Sequence, residues 1–121
     1  MGRYFISWHN NYFIQLGGWL AEPRYSAGYD LNKIVVRQTG DSLVAALDTQ
    51  RFVIRDNLYS IIPFDHDNLD CLKIVLGILN SKLLNWVYQS LINYEKGEAL
   101  AQVKRGHIAQ LPIPTPVVYL P

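Results

Sequence analysis

The chain has 121 residues, half of them hydrophobic and 17% charged, so it can bury the core of one ordinary domain. Eleven Lys and Arg balance ten Asp and Glu for a net charge of +1, which is not the basic excess of a typical free-standing nucleic-acid binder. The apolar runs are shorter than the roughly 18–20 residues that span a bilayer, and "MGRYFISWHN" lacks the apolar core of a signal peptide. The single Cys71 excludes an internal disulfide. We expect one cytoplasmic domain with no membrane contact.

The first thirty residues are rich in aromatic side chains and predict a β-hairpin. The stretches "RYFISW" and "NYFIQL" have the composition of strands, and His9–Asn11 between them is typical of a turn. Because alternate side chains of a strand point to opposite faces, some of these aromatics must face outward. We therefore expect a surface here that contacts another domain. The next stretch, "EPRYSAGYD", is predicted to be a loop.

The middle of the chain predicts an antiparallel sheet. Ile34–Arg37 is a β-branched strand, and "TGD" follows it as a turn. "SLVAAL", "RFVI" and "LYSIIP" are three further predicted strands, the last of which stops at Pro63. Since the connections between them are short, the strands are predicted to form an antiparallel meander.

The pattern changes to helix after Asp65. Leucines recur at three- and four-residue spacings from Leu69 to Leu79, which predicts a helix over about 68–79 with Asp67 or Asn68 as its N-cap. "NS" then interrupts the apolar stripe, and Ser81 is positioned to cap a second helix over about 82–92. Later, "VKRGHIAQL" predicts one short helical turn, and "PIPTP" predicts an extended segment. Three apolar residues of the second helix are expected to be core: Trp86, Val87 and Leu91.

The sequence lacks the patterns of an enzyme. There is no G-x-G-x-x-G, no P-loop and no G-x-S-x-G. His66 lies between two aspartates, but consecutive residues at a helix start do not converge on one metal ion, and helix capping explains them better. We expect no catalytic residue, metal or cofactor in this chain.

Two polar groups have two interpretations each. Arg37, Gln38 and Thr39 stand at a strand end, where Arg and Gln could contact guanine and adenine edges or simply be solvated. Lys104 and Arg105, with Lys96 and Gln102 before them, could hold phosphates or form a charged surface loop. Spacing alone favours the solvated strand end for the first group and does not separate the two interpretations of the second.

Four segments in this order carry a family resemblance: "EPRYSAGYDLNKIVVRQTGD", "LVAALDTQRFVIRDNLYSIIP", "LGILNSKLLNWVY" and "VKRGHIAQLPIPTP". Together they resemble the TaqI-like C-terminal specificity domain of adenine-specific DNA methyltransferases, including those fused to restriction endonucleases. More distantly, they resemble the target recognition domains of type I specificity subunits. The resemblance extends from about Arg3 to Pro116.

The resemblance implies a target-recognition module that binds double-stranded DNA. Its fold is expected to be α+β, an antiparallel sheet of four to six short strands packed against the two helices. The implied base contacts are Arg37, Gln38 and Thr39, and the implied backbone contacts are Arg24, Lys33, Lys96, Gln102, Lys104 and Arg105.

The resemblance also implies a separate catalytic domain. That domain would bind S-adenosylmethionine and hold an extruded adenine with an Asn/Asp-Pro-Pro-aromatic motif, which does not occur here. The chain is therefore expected to be a fragment or a separately built specificity module of a larger methyltransferase or restriction–modification protein. The alternative from a different class is a protein-interaction or subunit-assembly module that makes no DNA contact.

Overall fold

Three short strands come first and the helices follow, in a computed structural model that describes residues 1–7, 13, 15, 18–19, 31–54, 57–62 and 68–114. Across these ranges the elements are β1 (Lys33–Arg37), β2 (Ala45–Asp48), β3 (Leu58–Ile61), α1 (Leu69–Leu79), α2 (Lys82–Val87) and α3 (Arg105–Ala109). Helix α2 continues directly into a π-helical turn, Tyr88–Ile92. The predicted α+β class is confirmed. None of the helices in these ranges is long and apolar enough to cross a membrane.

The sheet is antiparallel, with β1 in its centre and the order β2-β1-β3. Val35 of β1 lies opposite Ala46 on one side and Ser60 on the other. The central position agrees with the sequence, because the β-branched run Ile34–Val36 is fully buried. The predicted meander is wrong, since β3 pairs with β1 and not with its predecessor β2.

The predicted strand "RFVI" is also wrong, because residues 51–54 are not part of the sheet. The carboxylate of Asp48 accepts hydrogen bonds from the backbone N–H of Gln50 and of Phe52, both at 2.9 Å. Arg51 between them has a φ of 62°, in the left-handed region that a strand does not use. Asp48 thus turns the chain after β2 by binding amides that a strand would offer to a neighbour.

The predicted N-terminal hairpin lies mostly outside the described residues. Within 1–7 the chain makes an isolated bridge between Gly2 and Phe5 and a parallel bridge between Tyr4 and Ala46. The Tyr4 N–H donates to the carbonyl of Ala45 at 2.9 Å, so this segment meets the β2 edge of the sheet. The described residues therefore hold three strands, fewer than the four to six predicted.

The helix boundaries agree with the sequence prediction because each start is set by a local side chain. The Asn68 side chain accepts from the backbone N–H of Cys71 at 3.0 Å, which makes Asn68 the N-cap of α1. The Ser81 hydroxyl accepts from the N–H of Leu84 at 3.1 Å and caps α2. The break predicted between the helices is therefore confirmed.

The core lies between the sheet and the helix pair. Its largest buried side chain is Tyr88, which packs with aliphatic residues of β1, α1 and the segment before β2. Trp86 and Leu91 do not join it, contrary to prediction, because 59% and 63% of their surfaces are exposed. Leu84 of α2 and Tyr88 of the π-helical turn, four residues apart, form one buried stripe, so Trp86 lies across the helix from it. Val87 is half-buried against the core.

Candidate nucleic-acid interface

The residues predicted to contact bases stand where β1 leaves the sheet. The N–H of Arg37 still donates to Val44 at 3.0 Å, and the N–H of Gln38 donates to Asn57 at 3.1 Å. Thr39 follows beyond these bonds and is exposed, while Arg37 and Gln38 are half-buried. The strand therefore holds the backbone of Arg37 and Gln38 on both sides and presents the next residues at its end.

A second segment, sixty residues later, pairs with this strand end. The N–H of Val103 donates to the carbonyl of Gln38 at 2.7 Å, and the N–H of Gly40 donates to the carbonyl of Ala101 at 2.9 Å. Between these bonds, Thr39 and Gln102 form an antiparallel bridge. We call residues 37–40 and 101–105 together the paired edge. It brings the predicted base contacts beside three predicted backbone contacts: Gln102, Lys104 and Arg105.

The Arg37 side chain folds back over Gly40. A Cβ atom placed on Gly40 would lie 2.8 Å from Nη2 of Arg37 and 3.3 Å from its Cζ. Gly40 also has a φ of 103°, which side-chain-bearing residues rarely adopt. The Nε of Arg37 is buried and has no hydrogen-bond partner in the described part of the chain. Any contact that this guanidinium makes outside the protein must therefore come from its terminal nitrogens.

The carboxylate of Asp41 joins the end of β1 to residues 93–100, which we call the loop and which precede the second segment of the paired edge. Asp41 accepts from the backbone N–H of Gly97 at 2.7 Å and from the hydroxyl of Ser42 at 3.0 Å. These two hydrogen bonds, in that order, lower the pKa of the Asp41 carboxyl, and the positive charge of Arg37 adds to the effect. Asp41 is thus held ionised at neutral pH.

A second carboxylate closes the loop onto the paired edge. Glu95 accepts from the backbone N–H of Gln102 at 2.9 Å and from the side-chain amide of Asn93 at 3.3 Å. The first of these bonds is the largest cause of the lowered pKa of Glu95, followed by the second. The nearby charges of Lys104 and His107 act in the same direction. This loop is therefore fastened by charge-assisted hydrogen bonds.

Buried Asn93 connects that loop to the core. Its side-chain amide donates to the Tyr88 hydroxyl at 2.8 Å and to the carbonyl of Gln102 at 2.9 Å. Burial raises the pKa of the Tyr88 hydroxyl, so this group stays neutral. The Tyr88 ring in turn meets the ring of His107 edge to face, with centroids 6.1 Å apart. His107 lies in α3, so the beginning of α3 is tied to the same core residue.

Three side-chain amides from the helical region bind backbone groups of residues 41–45, which lead from β1 into β2. Asn80 accepts from the N–H of Ala45 at 3.0 Å and donates to its carbonyl at 2.9 Å. Asn85 accepts from the N–H of Leu43 at 3.0 Å, and Gln89 donates to the carbonyl of Asp41 at 3.0 Å. Sequence reasoning assigned Asn80 only to the helix break. The recurrence of side-chain amides at positions 80, 85 and 89, between apolar residues, is the sequence pattern that indicates their contacts with the backbone of residues 41–45.

The other predicted contacts divide into three cases. Lys33 is fully buried and its ammonium pairs with Asp48 at 2.5 Å, so the prediction that it contacts the DNA backbone is wrong. A buried ammonium needs a partner to offset its desolvation, and Asp48 supplies it. Lys96, Lys104 and Arg105 are exposed, with Lys96 next to the Gly97 that binds Asp41. Arg24 lies outside the described residues, as does His66, which the sequence pattern assigns to helix capping and not to a contact.

An apolar surface lies on the helix pair. Leu83 and Trp86 of α2 are largely exposed, as is Leu91 of the π-helical turn. Beside them, a groove of about 470 Å³ runs between the helices and Pro112–Pro114, and among the described residues that line it Ser81 has the only polar side chain. The Ser81 hydroxyl already donates to the carbonyl of Ile78 at 2.7 Å. In the described ranges no three His, Cys, Asp or Glu side chains are grouped to hold a metal.

Comparison with known proteins gives one family. The model of the TaqI-like C-terminal specificity domain matches residues 1–113, which include every strand and helix named above. No curated protein and no solved structure gives a significant match.

Proposed function

The chain belongs to the TaqI-like C-terminal specificity domain family, and we propose that it selects the DNA target of an adenine-specific methyltransferase or restriction–modification enzyme. The observation that carries this proposal is the family match, which covers residues 1–113 of 121. Membership in this family indicates a general role in DNA target recognition by methyltransferases. It also indicates that the chain is a non-catalytic module of such an enzyme. The finer assignments below are our own.

We propose that the paired edge is the surface that meets the duplex. Arg37, Gln38 and Thr39 would contact base edges, because terminal Arg nitrogens and a Gln amide can each make paired hydrogen bonds to a base. Among the described residues the buried Nε of Arg37 has no hydrogen-bond partner, and a buried donor in that state calls for an explanation beyond the packing of the fold. Lys96, Gln102, Lys104 and Arg105 would bind phosphates and fix the register.

We propose that the chemistry belongs to a separate catalytic domain. That domain would bind S-adenosylmethionine and methylate an adenine extruded from the duplex, at a cost of a few kcal/mol that a second contact on the DNA helps to offset. The described groove does not fit this cofactor, whose ribose hydroxyls, ammonium and carboxylate need several polar partners. Its one polar side chain, Ser81, is already bonded to the helix backbone. We expect the assembly to act in the cytoplasm.

The exposed apolar side chains of the helix pair favour a protein contact. Leu83, Trp86 and Leu91 are where we propose that the catalytic domain packs. The same residues support the second candidate function, an interaction or assembly module without DNA contact. Salt separates the two functions, because phosphate binding weakens steeply with added salt and an apolar interface does not.

The test is binding of the chain to a pool of fluorescent duplexes of random sequence over a salt series. We expect Lys104→Ala/Arg105→Ala to weaken binding to all sequences and to reduce the slope of log affinity against log salt by about 2. Arg37→Ala should reduce sequence preference, by about 1–3 kcal/mol at the affected base pair. Lys82→Ala, an exposed lysine on α2, is the matched control.

Two outcomes would reject the proposal. If the parent chain binds no duplex at any salt concentration, the assembly-module function takes its place. If Lys82→Ala weakens binding as much as Lys104→Ala/Arg105→Ala, the paired edge is the wrong surface.

A further inference from the structure

We propose that Asp41 and Glu95 are positioning residues that hold the two segments of the paired edge in register, and that they determine sequence discrimination more than overall affinity. This inference rests on the proposed function, because discrimination is between DNA sequences. Neither carboxylate is proposed to touch DNA. Each acts through the backbone amides that it binds.

The geometry of Asp41 connects three parts of the chain. Its carboxylate binds the N–H of Gly97 in the loop and the hydroxyl of Ser42, while its own carbonyl accepts from Gln89 of the π-helical turn. It directly follows Gly40, whose N–H donates to Ala101 in the second segment of the paired edge. Losing the Asp41 carboxylate would therefore free the loop from the strand end on the side next to Arg37.

Glu95 fixes the other end of the same loop. Its carboxylate binds the N–H of Gln102, and Gln102 is the residue that bridges to Thr39. Asn93, two residues earlier, donates to the carbonyl of Gln102. Both backbone polar groups of Gln102 are thus held from within the loop, which leaves its side chain as the part free to face a ligand.

The charge of these residues explains why discrimination is the property expected to depend on them. A carboxylate near a phosphate-binding surface repels DNA, so removing it should leave non-specific affinity unchanged or raised. Base contacts, in contrast, require directional hydrogen bonds, and an edge that shifts loses them. Removing a residue that only stabilised the fold would lower total affinity together with sequence preference.

The experiment sequences the duplexes that the chain retains from the random pool and measures amide hydrogen exchange on the same proteins. For Asp41→Ala we expect enrichment of the preferred sequence to fall about tenfold, the effect of one mismatched base pair. Total binding should stay equal or increase. Exchange at the amides of Gly40 and Val103, which Asp41 does not itself bind, should become about tenfold faster.

The controls keep the inference separate from the proposed function and from folding. Glu98→Ala removes the same charge from an exposed position in the same loop, so it should affect total binding as Asp41→Ala does but should change neither the enrichment nor the exchange rates. Asp41→Asn retains an acceptor for Gly97 and should restore most of the protection if Asp41→Ala is poorly folded. Unchanged enrichment in Asp41→Ala, or equal losses in Glu98→Ala, would overturn the inference. If the parent enriches no sequence, the proposed function fails, and unchanged exchange at Gly40 and Val103 would then overturn the positioning role independently.

Discussion

At the scale of single residues, Lys33 and Asp48 show how a charged position can be structural. Lys33 begins the central strand, and its ammonium is buried against Asp48, which also binds the two amides that turn the chain after β2. The two residues face each other in the sheet register. The Asp48 carboxylate therefore has a cation and two N–H donors in the interior, and each group depends on the others.

Removing the Lys33 ammonium should destabilise the protein. We expect Lys33→Met to lower the free energy of unfolding by about 3–5 kcal/mol, because it leaves a buried carboxylate without its cation. Urea denaturation measures this change. In the double variant Lys33→Met/Asp48→Asn, the loss should be smaller than the sum of the two single losses. A loss within about 0.5 kcal/mol, as expected for exposed Lys82→Met, would contradict the buried pair.

At the scale of elements, Asn80 joins the helix break to the edge of the sheet. Its amide makes both hydrogen bonds that a neighbouring strand residue would make with Ala45. The carbonyl of Ala45 also accepts from Tyr4, but the N–H of Ala45 is held by Asn80. The helix pair thus acts as a partial replacement for another strand beside β2.

Replacing Asn80 should cost the free energy of a buried, unsatisfied amide. We expect Asn80→Ala to lower the free energy of unfolding by about 1–3 kcal/mol, because the N–H of Ala45 loses its partner. Asn85→Ala, which removes one bond from a less buried position, should cost less. Urea denaturation of both variants gives the comparison. A larger loss in Asn85→Ala than in Asn80→Ala would contradict this account.

The elements that could be predicted from the sequence are those set by neighbouring residues. Asn68 and Ser81 cap their helices by accepting from backbone amides three residues away, so both helix starts could be predicted from the local sequence. The pairing of β3 with β1 depends on contacts across the sheet, and period-two alternation carries no information about strand order. "RFVI" has strand composition, but Asp48 turns the backbone there, and tertiary context overrides propensity.

The candidate site was predictable in part for the same reason. The polar group at the end of β1 was visible because a strand is followed by turn residues. Its pairing with residues 101–103 joins segments sixty residues apart, which no local pattern encodes. The burial of Lys33 was missed because its partner stands fifteen residues away on another strand.

At the scale of the whole molecule, three titratable groups predict that stability falls at both ends of the pH range. The pKa of Asp41 and that of Glu95 are lowered in the folded chain, so their contribution is present above the ordinary carboxyl range near pH 4 and is lost as pH falls through their folded values. The pKa of Tyr88 is raised by burial, so its contribution is complete below its ordinary value near 10 and is lost as pH rises beyond it.

Each variant at one of these groups should reduce the pH dependence of the free energy of unfolding at one end of the pH range. We expect Asp41→Asn to be less stable than the parent at neutral pH and to approach it below pH 4, since protonation removes the same charge from the parent. Tyr88→Phe should approach the parent above pH 10 in the same way. Urea denaturation across pH gives both limbs, and Glu98→Gln serves as the control. Because Asp41 and Glu95 fasten the loop of the paired edge while Tyr88 anchors that loop through Asn93, the protection of the Val103 amide, taken relative to its intrinsic exchange rate at the same pH, should fall at both extremes. An Asp41→Asn profile parallel to that of the parent down to low pH would show that its carboxylate does not stabilise the fold.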